Sequence, residues 1–78
     1  MTLLYKKTLV VTGALGGLGR AVCSVAESQG ARVLRLDMTL DDRDPDSYAV
    51  DLTDLEATRA CIEGLGPFDG LVNLAKLK

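Results

Sequence analysis

From residue 8 onward the chain moves between two hydrophobic rhythms. Thr8-Leu9-Val10-Val11-Thr12 is a continuous apolar and β-branched run. It predicts a strand buried on both faces, as parallel sheets require. The run stops at Gly13. From Leu18 to Gln29 the period lengthens, and Leu18, Ala21, Val22, Val25 and Ala26 recur at helical spacing. They predict a helix with an apolar stripe, with Arg20, Ser24, Glu27 and Ser28 on the opposite side. Gly30 stands where a left-handed residue would close that helix. Arg32-Val33-Leu34-Arg35-Leu36 then predicts a second strand that ends at Asp37.

Met38 to Ser47 is rich in acidic and turn-forming residues and has no period, so it reads as an exposed loop. Tyr48-Ala49-Val50 predicts a short third strand ending at Asp51. Thr53-Asp54-Leu55-Glu56 has the form of a capping box with Thr53 as N-cap. The helix it opens runs to about Gly64 and would bury Ala57, Ala60, Cys61 and Leu65. Gly66-Pro67 breaks it, and Phe68 to Ala75 is the fourth strand candidate. The order β-α-β-loop-β-α-β predicts an α/β fold with a parallel sheet. The ten residues Met38 to Ser47 are short for a parallel crossover, which usually takes a dozen or more and a helix. We expect that helix to be reduced to a single turn.

Composition narrows the function. At 78 residues the chain is one small domain at most, or part of one, and such a chain buries only about 60% of its unfolded surface. With 47% hydrophobic and 26% charged residues it is globular rather than disordered. Nine basic against eleven acidic residues leave a net charge of −2, which argues against a nucleic-acid binder. No apolar run approaches the roughly 18 residues of a membrane span. The opening Met1 to Lys7 lacks the order of a secretory signal, so a cytoplasmic location is expected. The absence of histidine excludes imidazole catalysis and most zinc sites, and no metal site is expected. Cys23 and Cys61 read as buried free thiols, with a disulfide as the alternative.

The candidate chemistry lies in Thr12-Gly13-Ala14-Leu15-Gly16-Gly17-Leu18-Gly19, between the first strand and the first helix. Glycines allow a tight turn and a close ligand, while unpaired N–H groups and the helix dipole attract phosphate. A glycine-rich turn can also be a simple entry into a helix, so the context matters. Asp37, at the end of the next strand, falls near the ~20-residue spacing expected of a carboxylate that binds a ribose 2′-hydroxyl. It can equally be a turn residue. A carboxylate there repels the extra phosphate of NADP, so NAD is the expected cofactor.

The register is T-G-x-x-x-G-x-G, carried by Thr12, Gly13, Gly17 and Gly19. It is neither G-x-G-x-x-G nor a Walker loop. In this it resembles the N-terminal portion of the short-chain dehydrogenase/reductase family. Asp51-Leu52-Thr53 is similar to the family's acidic position after the third strand. Asp69-Gly70-Leu71-Val72-Asn73-Leu74-Ala75 resembles its D-x-L-V-N-N-A-G segment. The resemblance runs from about Thr8 to Ala75 and implies half of a doubly wound Rossmann-type sheet in strand order 3-2-1-4. It implies that Gly13, Gly16, Gly17 and Gly19 form the turn under a pyrophosphate, with the backbone of Leu15 and Leu18 facing the cofactor. Asp37 would hold the adenosine ribose, and Asp51 with Leu52 would border the adenine. Asn73 would brace the sheet, and the backbone near Ala75 would approach the adenosine.

The departures bear on activity. Leu74 replaces the family's second Asn, and Lys76 replaces its Gly. Residues 1–75 therefore read as a partial NAD-binding domain, and Lys76-Leu77-Lys78 as a non-native or frayed tail. The family's Tyr-x-x-x-Lys pair has no counterpart, because Leu9 and Leu52 stand four residues after Tyr5 and Tyr48. No catalytic residue is assigned, and the chain alone is expected to be silent. A noncatalytic nucleotide-binding module and an empty structural fragment remain alternatives, and a methyltransferase-like site fits less well. An open fourth strand is expected to self-associate along 71–75 or to be poorly ordered.

Overall fold

The computed structural model describes residues 3–75; Lys76-Leu77-Lys78 lie outside them. Six elements follow one another: β1 (Thr8–Thr12), α1 (Gly17–Ser28), β2 (Arg32–Asp37), β3 (Ser47–Ala49), α2 (Leu55–Gly64) and β4 (Gly70–Asn73). The strands form one sheet in the order β3-β2-β1-β4, and every pairing is parallel. This is half of a doubly wound Rossmann-type sheet.

The sheet is apolar on both sides, which is why β1 reads as an unbroken hydrophobic run. Val10 and Val11 point to opposite faces, and both are 0% exposed. Val11 and Val33 pack with Cys23 and Ala26 of α1. Val10, Leu34 and Leu36 pack with Leu52 and, from α2, Cys61 and Ile62. At the end of α1 Gly30 takes φ +93°. The Ala31 N–H reaches Ala26 O at 3.1 Å and the Gly30 N–H reaches Glu27 O at 3.0 Å. That pair of bonds is a Schellman closure, which the left-handed glycine makes possible.

Several local expectations are corrected. The buried face of α1 is Gly19, Cys23 and Ala26, whereas Leu18 and Val25 are 67% and 63% exposed. The smallest side chains face the sheet because the helix sits too close for larger ones. On α2, Ile62 packs inward and Ala60 is exposed. The N-cap of α2 is Asp54, whose carboxylate accepts the Ala57 N–H at 3.1 Å. Thr53 stands one residue before the cap, and its N–H and hydroxyl both turn back to donate to Asp51 Oδ1 (3.0 and 2.6 Å). β3 begins one residue earlier than the apolar pattern suggests, at the buried Ser47. β4 is confined to Gly70–Asn73 within the longer candidate segment.

The crossover from β2 to β3 contains no helical turn. Two successive turns replace it, closed by the Asp44 N–H on Asp41 O (3.1 Å) and the Ser47 N–H on Asp44 O (3.2 Å). Arginines on β2 hold this short span down. Arg35 bridges Glu27 of α1 at 2.7 Å and Asp44 at 3.2 Å, and Arg32 pairs with Asp46 at 2.8 Å. Charge-assisted bonds of this kind substitute for the hydrophobic packing that a crossover helix would bring.

The Arg32 guanidinium hydrogen bond holds the Asp46 carboxyl below its ordinary value of 3.8. A depressed folded-state value means that the stabilisation is complete above the unfolded value and is lost as the pH falls through the folded one. Arg32 is largely exposed, so solvent screening keeps the pair's contribution small. Asp46→Asn should therefore lower the urea midpoint at pH 7, and the difference from the unaltered chain should shrink towards pH 3. An undiminished difference at low pH would contradict this account.

Candidate functional site

At the carboxyl end of β1 the chain must turn under the end of β4 and enter α1. Gly13 makes the turn at φ +71°, and a Cβ there would stand 2.9 Å from Ala75 N. The Gly13 and Ala14 N–H groups both donate to Leu36 O, at 2.9 and 3.3 Å. Gly16 is the N-cap in an extended conformation, with no side-chain cap and no acidic residue in the first turn of α1. The Arg20 N–H is the first to find a helical acceptor, Gly16 O at 2.8 Å. The N–H groups of Gly17, Leu18 and Gly19 therefore have no acceptor within the helix, and they carry its positive dipole end.

These groups open on a cleft of about 390 Å³. Gly13, Gly16, Gly17, Leu18 and Gly19 form one wall. Asp37 and Met38 stand at the end of β2, Leu52 and Thr53 follow β3, and Leu74 and Ala75 follow β4. The cleft thus lies where the strand order reverses, with β2 and β3 laid down on one side of β1 and β4 on the other, the switch point at which open α/β sheets bind ligands. Asp37 is the only carboxylate among the lining residues. Its Oδ2 accepts the Leu15 N–H at 2.9 Å and its Oδ1 accepts the Met38 N–H at 2.7 Å.

Of the residues singled out from the sequence, Gly13, Gly16, Gly17, Leu18, Gly19, Asp37, Leu52 and Ala75 meet at this cleft. Leu15 lies outside it, its carbonyl accepting Arg20 Nε at 2.9 Å. Asp51 is also outside, and its carboxyl is held below the ordinary range by the Thr53 hydroxyl and then by the Thr53 N–H. Asn73 Oδ1 accepts the Thr12 hydroxyl at 2.6 Å, a cross-strand bond between β4 and β1. Met38, Thr53 and Leu74 line the cleft without having been singled out as contacts. Each is a sequence neighbour of a residue that was, which is the only signal they carry.

The cleft fits a diphosphate on steric grounds. Gly17 has nothing within 4 Å of where a Cβ would stand, so that point of the wall is open space. Gly19 is the opposite case. A Cβ there would run into Gly13 O and stand 2.8 Å from Ala14 Cα. Among the described residues there is no cluster of three or more potential metal ligands. Cys23 and Cys61 are both free, and burial pushes both thiols up. No described helix is long and apolar enough to cross a membrane.

Fold and cleft together define a Rossmann-type nucleotide-binding half-domain. A profile of the NAD dependent epimerase/dehydratase family matches residues 9–78. L-xylulose reductase of Bos taurus is 39% identical over 74 residues, covering 85% of this chain and 30% of that protein. D-erythrulose reductase of Gallus gallus is likewise 39% identical over 74 residues. A "short chain dehydrogenase" of Penicillium rubens is 32% identical over 85 residues, covering 96% of this chain and 33% of its own. The chain belongs to the NAD-dependent short-chain dehydrogenase/reductase and epimerase/dehydratase family. It spans about 30% of the length of these curated relatives.

The two glycines should separate folding from binding. Gly19→Ala forces helix and turn apart and should cost about 3 kcal/mol, a large share of a small domain's stability. Gly17→Ala should leave stability unchanged or raise it by about 0.5–1 kcal/mol through helix propensity. Thermal melts monitored by circular dichroism read both variants, and equal effects would refute the close-packing account.

Proposed function

We propose that this chain is the NAD-binding portion of an oxidoreductase of this family. What supports the reading is the convergence of three features on one cleft: open first-turn N–H groups, the glycine wall and the Asp37 carboxylate. The backbone of Gly17, Leu18 and Gly19 would receive the diphosphate, while Gly13 lets the turn after β1 pack against the Leu74–Ala75 backbone that follows β4. Asp37 would accept from the adenosine ribose hydroxyls, and Leu52, Thr53 and Ala75 would border the adenine side. Asp51 serves this edge indirectly, by fixing Thr53. Asn73 braces β4 against β1 through Thr12, and Leu15 contributes through its backbone bonds. When bound, NAD supplies a nicotinamide ring that takes or gives a hydride.

NAD rather than NADP is the proposed partner, because a 2′-phosphate would meet the Asp37 carboxylate. The chain by itself carries out no hydride transfer on this reading. Among the described residues, no tyrosine, lysine or histidine lines the cleft, so none of these side chains is suited to exchanging a substrate proton near neutral pH. Tyr48 packs into the α2-side core instead. Residues 1–75 would act as one binding unit, cytoplasmic, with both thiols free.

NADH, NADPH and AMP titrated during thermal melts test this proposal. At a tenfold excess over Kd, binding adds about 1.4 kcal/mol, roughly 5–10 °C for a domain of this size. NADH and AMP should raise the melting temperature and NADPH should raise it less. Gly17→Val, which fills the open wall, should abolish the shifts while the chain stays folded. No response to any ligand would overturn the proposal in favour of an empty scaffold, and a larger NADPH shift would overturn the choice of cofactor.

We further propose that β4 associates with a second copy of itself. Among the described residues it is an edge strand bonded only to β1, Leu71 is 50% exposed, and residues 70–75 carry no charge that would repel an identical strand. The opposite edge is protected, since β3 is only three residues long and lies against the Asp44–Asp46 turn. Sedimentation velocity should show a dimer that Leu71→Lys converts to a monomer. A concentrated monomer with an ordered 71–75 segment would exclude this pairing.

A further inference from the structure

We propose that Asp37 is a positioning residue for the diphosphate loop, independently of any contact it makes with a ribose. The inference rests on the dinucleotide reading above and extends it to how the loop is shaped. Three successive N–H groups of the turn, those of Gly13, Ala14 and Leu15, all donate to the carboxyl end of β2. The first two go to the Leu36 carbonyl, which any residue at that position would supply. The third, from Leu15 to Asp37 Oδ2 at 2.9 Å, exists only because of the side chain at 37.

On its other side Leu15 is held as well. Its carbonyl accepts Arg20 Nε at 2.9 Å, so the residue is held at its N–H by an anion and at its C=O by a cation. Only Gly16 separates this anchor from Gly17, the first residue of α1. The aim of the Gly17, Leu18 and Gly19 N–H groups therefore depends on where Leu15 is fixed. Each carboxylate oxygen of Asp37 has about two acceptor positions, and each spends one on a backbone N–H. One position per oxygen remains for ribose hydroxyls, so the two roles do not compete.

The two roles predict opposite signs for a ligand that has no ribose. If Asp37 only contacted ribose, its removal would leave pyrophosphate binding unchanged or tighten it, because an anion would have left the neighbourhood. If Asp37 shapes the loop, its removal weakens pyrophosphate binding despite the lost repulsion. The test titrates inorganic pyrophosphate into the full chain and into Asp37→Ala and Asp37→Asn at fixed ionic strength, following amide NMR shifts. It also measures Leu15 amide hydrogen exchange without ligand. Losing a charge-assisted hydrogen bond should speed Leu15 exchange roughly tenfold in Asp37→Ala, and pyrophosphate affinity should fall about fivefold. Asp37→Asn retains an oxygen that accepts the Leu15 N–H, and it should keep pyrophosphate affinity within about twofold or improve it.

Pyrophosphate binding to Asp37→Ala as tight as to the unaltered chain would overturn the proposal. So would equal Leu15 exchange in the two. If Asp37→Ala does not fold, Asp37→Asn decides, and pyrophosphate binding that stays tight while Leu15 exchanges fast, or that weakens while Leu15 exchanges slowly, would overturn it. If the unaltered chain binds no pyrophosphate, the dinucleotide reading fails. The loop-shaping role is then judged on Leu15 exchange alone, with slow exchange lost in Asp37→Ala as the supporting result.

Discussion

The structure depends on one close contact: α1 rests on the turn that precedes it at a point where only a hydrogen atom fits. Gly19 is that point, since any Cβ would press into Gly13 O and the Ala14 backbone. Once the helix is seated there, its rotation is settled, and Cys23 and Ala26 must follow Gly19 onto the sheet. Its first turn, Gly17, Leu18 and Gly19, then lines the cleft together with the residues that follow β2, β3 and β4. The packing requirement and the binding geometry are therefore consequences of the same missing side chain.

A second constraint follows from covering both faces of a small parallel sheet. α1 covers one face closely with small residues, whereas α2 covers the other without burying any residue completely. The short β2–β3 connection cannot contribute a third helix. Arg35 compensates by linking α1 to the crossover turns, its side chain only 17% exposed. Such a pair restrains geometry more than it adds stability. What it restrains is the same end of β2 that presents Asp37.

Much of this was legible in the sequence, and the failures have identifiable causes. The continuous apolar run of β1 announced a two-faced strand, and the glycine spacing announced the turn, because both are backbone requirements that residue type reveals directly. The inward face of α1 was not legible from hydropathy. Leu18 and Val25 outweigh Gly19 on any apolar scale, yet the separation between helix and sheet admits only the smallest residue. Thr53 matched the capping pattern but turns back onto Asp51 two residues before it, a local side-chain competition that leaves the cap to Asp54. The crossover shows the same limit: its length excluded a full helix, but only the Asp41–Ser47 bonds show that two turns took its place. At the cleft, Asp37 was legible as an acid at the right distance. Its bond to Leu15 was not, since that depends on how the turn folds back over β2.

The distribution of chemistry along the chain explains why binding is the function these residues support. Everything at the cleft that acts on a ligand is backbone N–H, glycine surface or a single carboxylate. Such groups recognise a diphosphate and a sugar, whose charges and hydroxyls do not change during a hydride transfer. They stabilise bound reactant and transition state about equally, which is uniform binding and accelerates nothing by itself. Rate enhancement needs a group that responds to the charge developing at the reacting carbon and oxygen, a different task from the binding that these described residues are suited to. On the proposed reading, the described residues of this cleft hold a cofactor in a fixed pose.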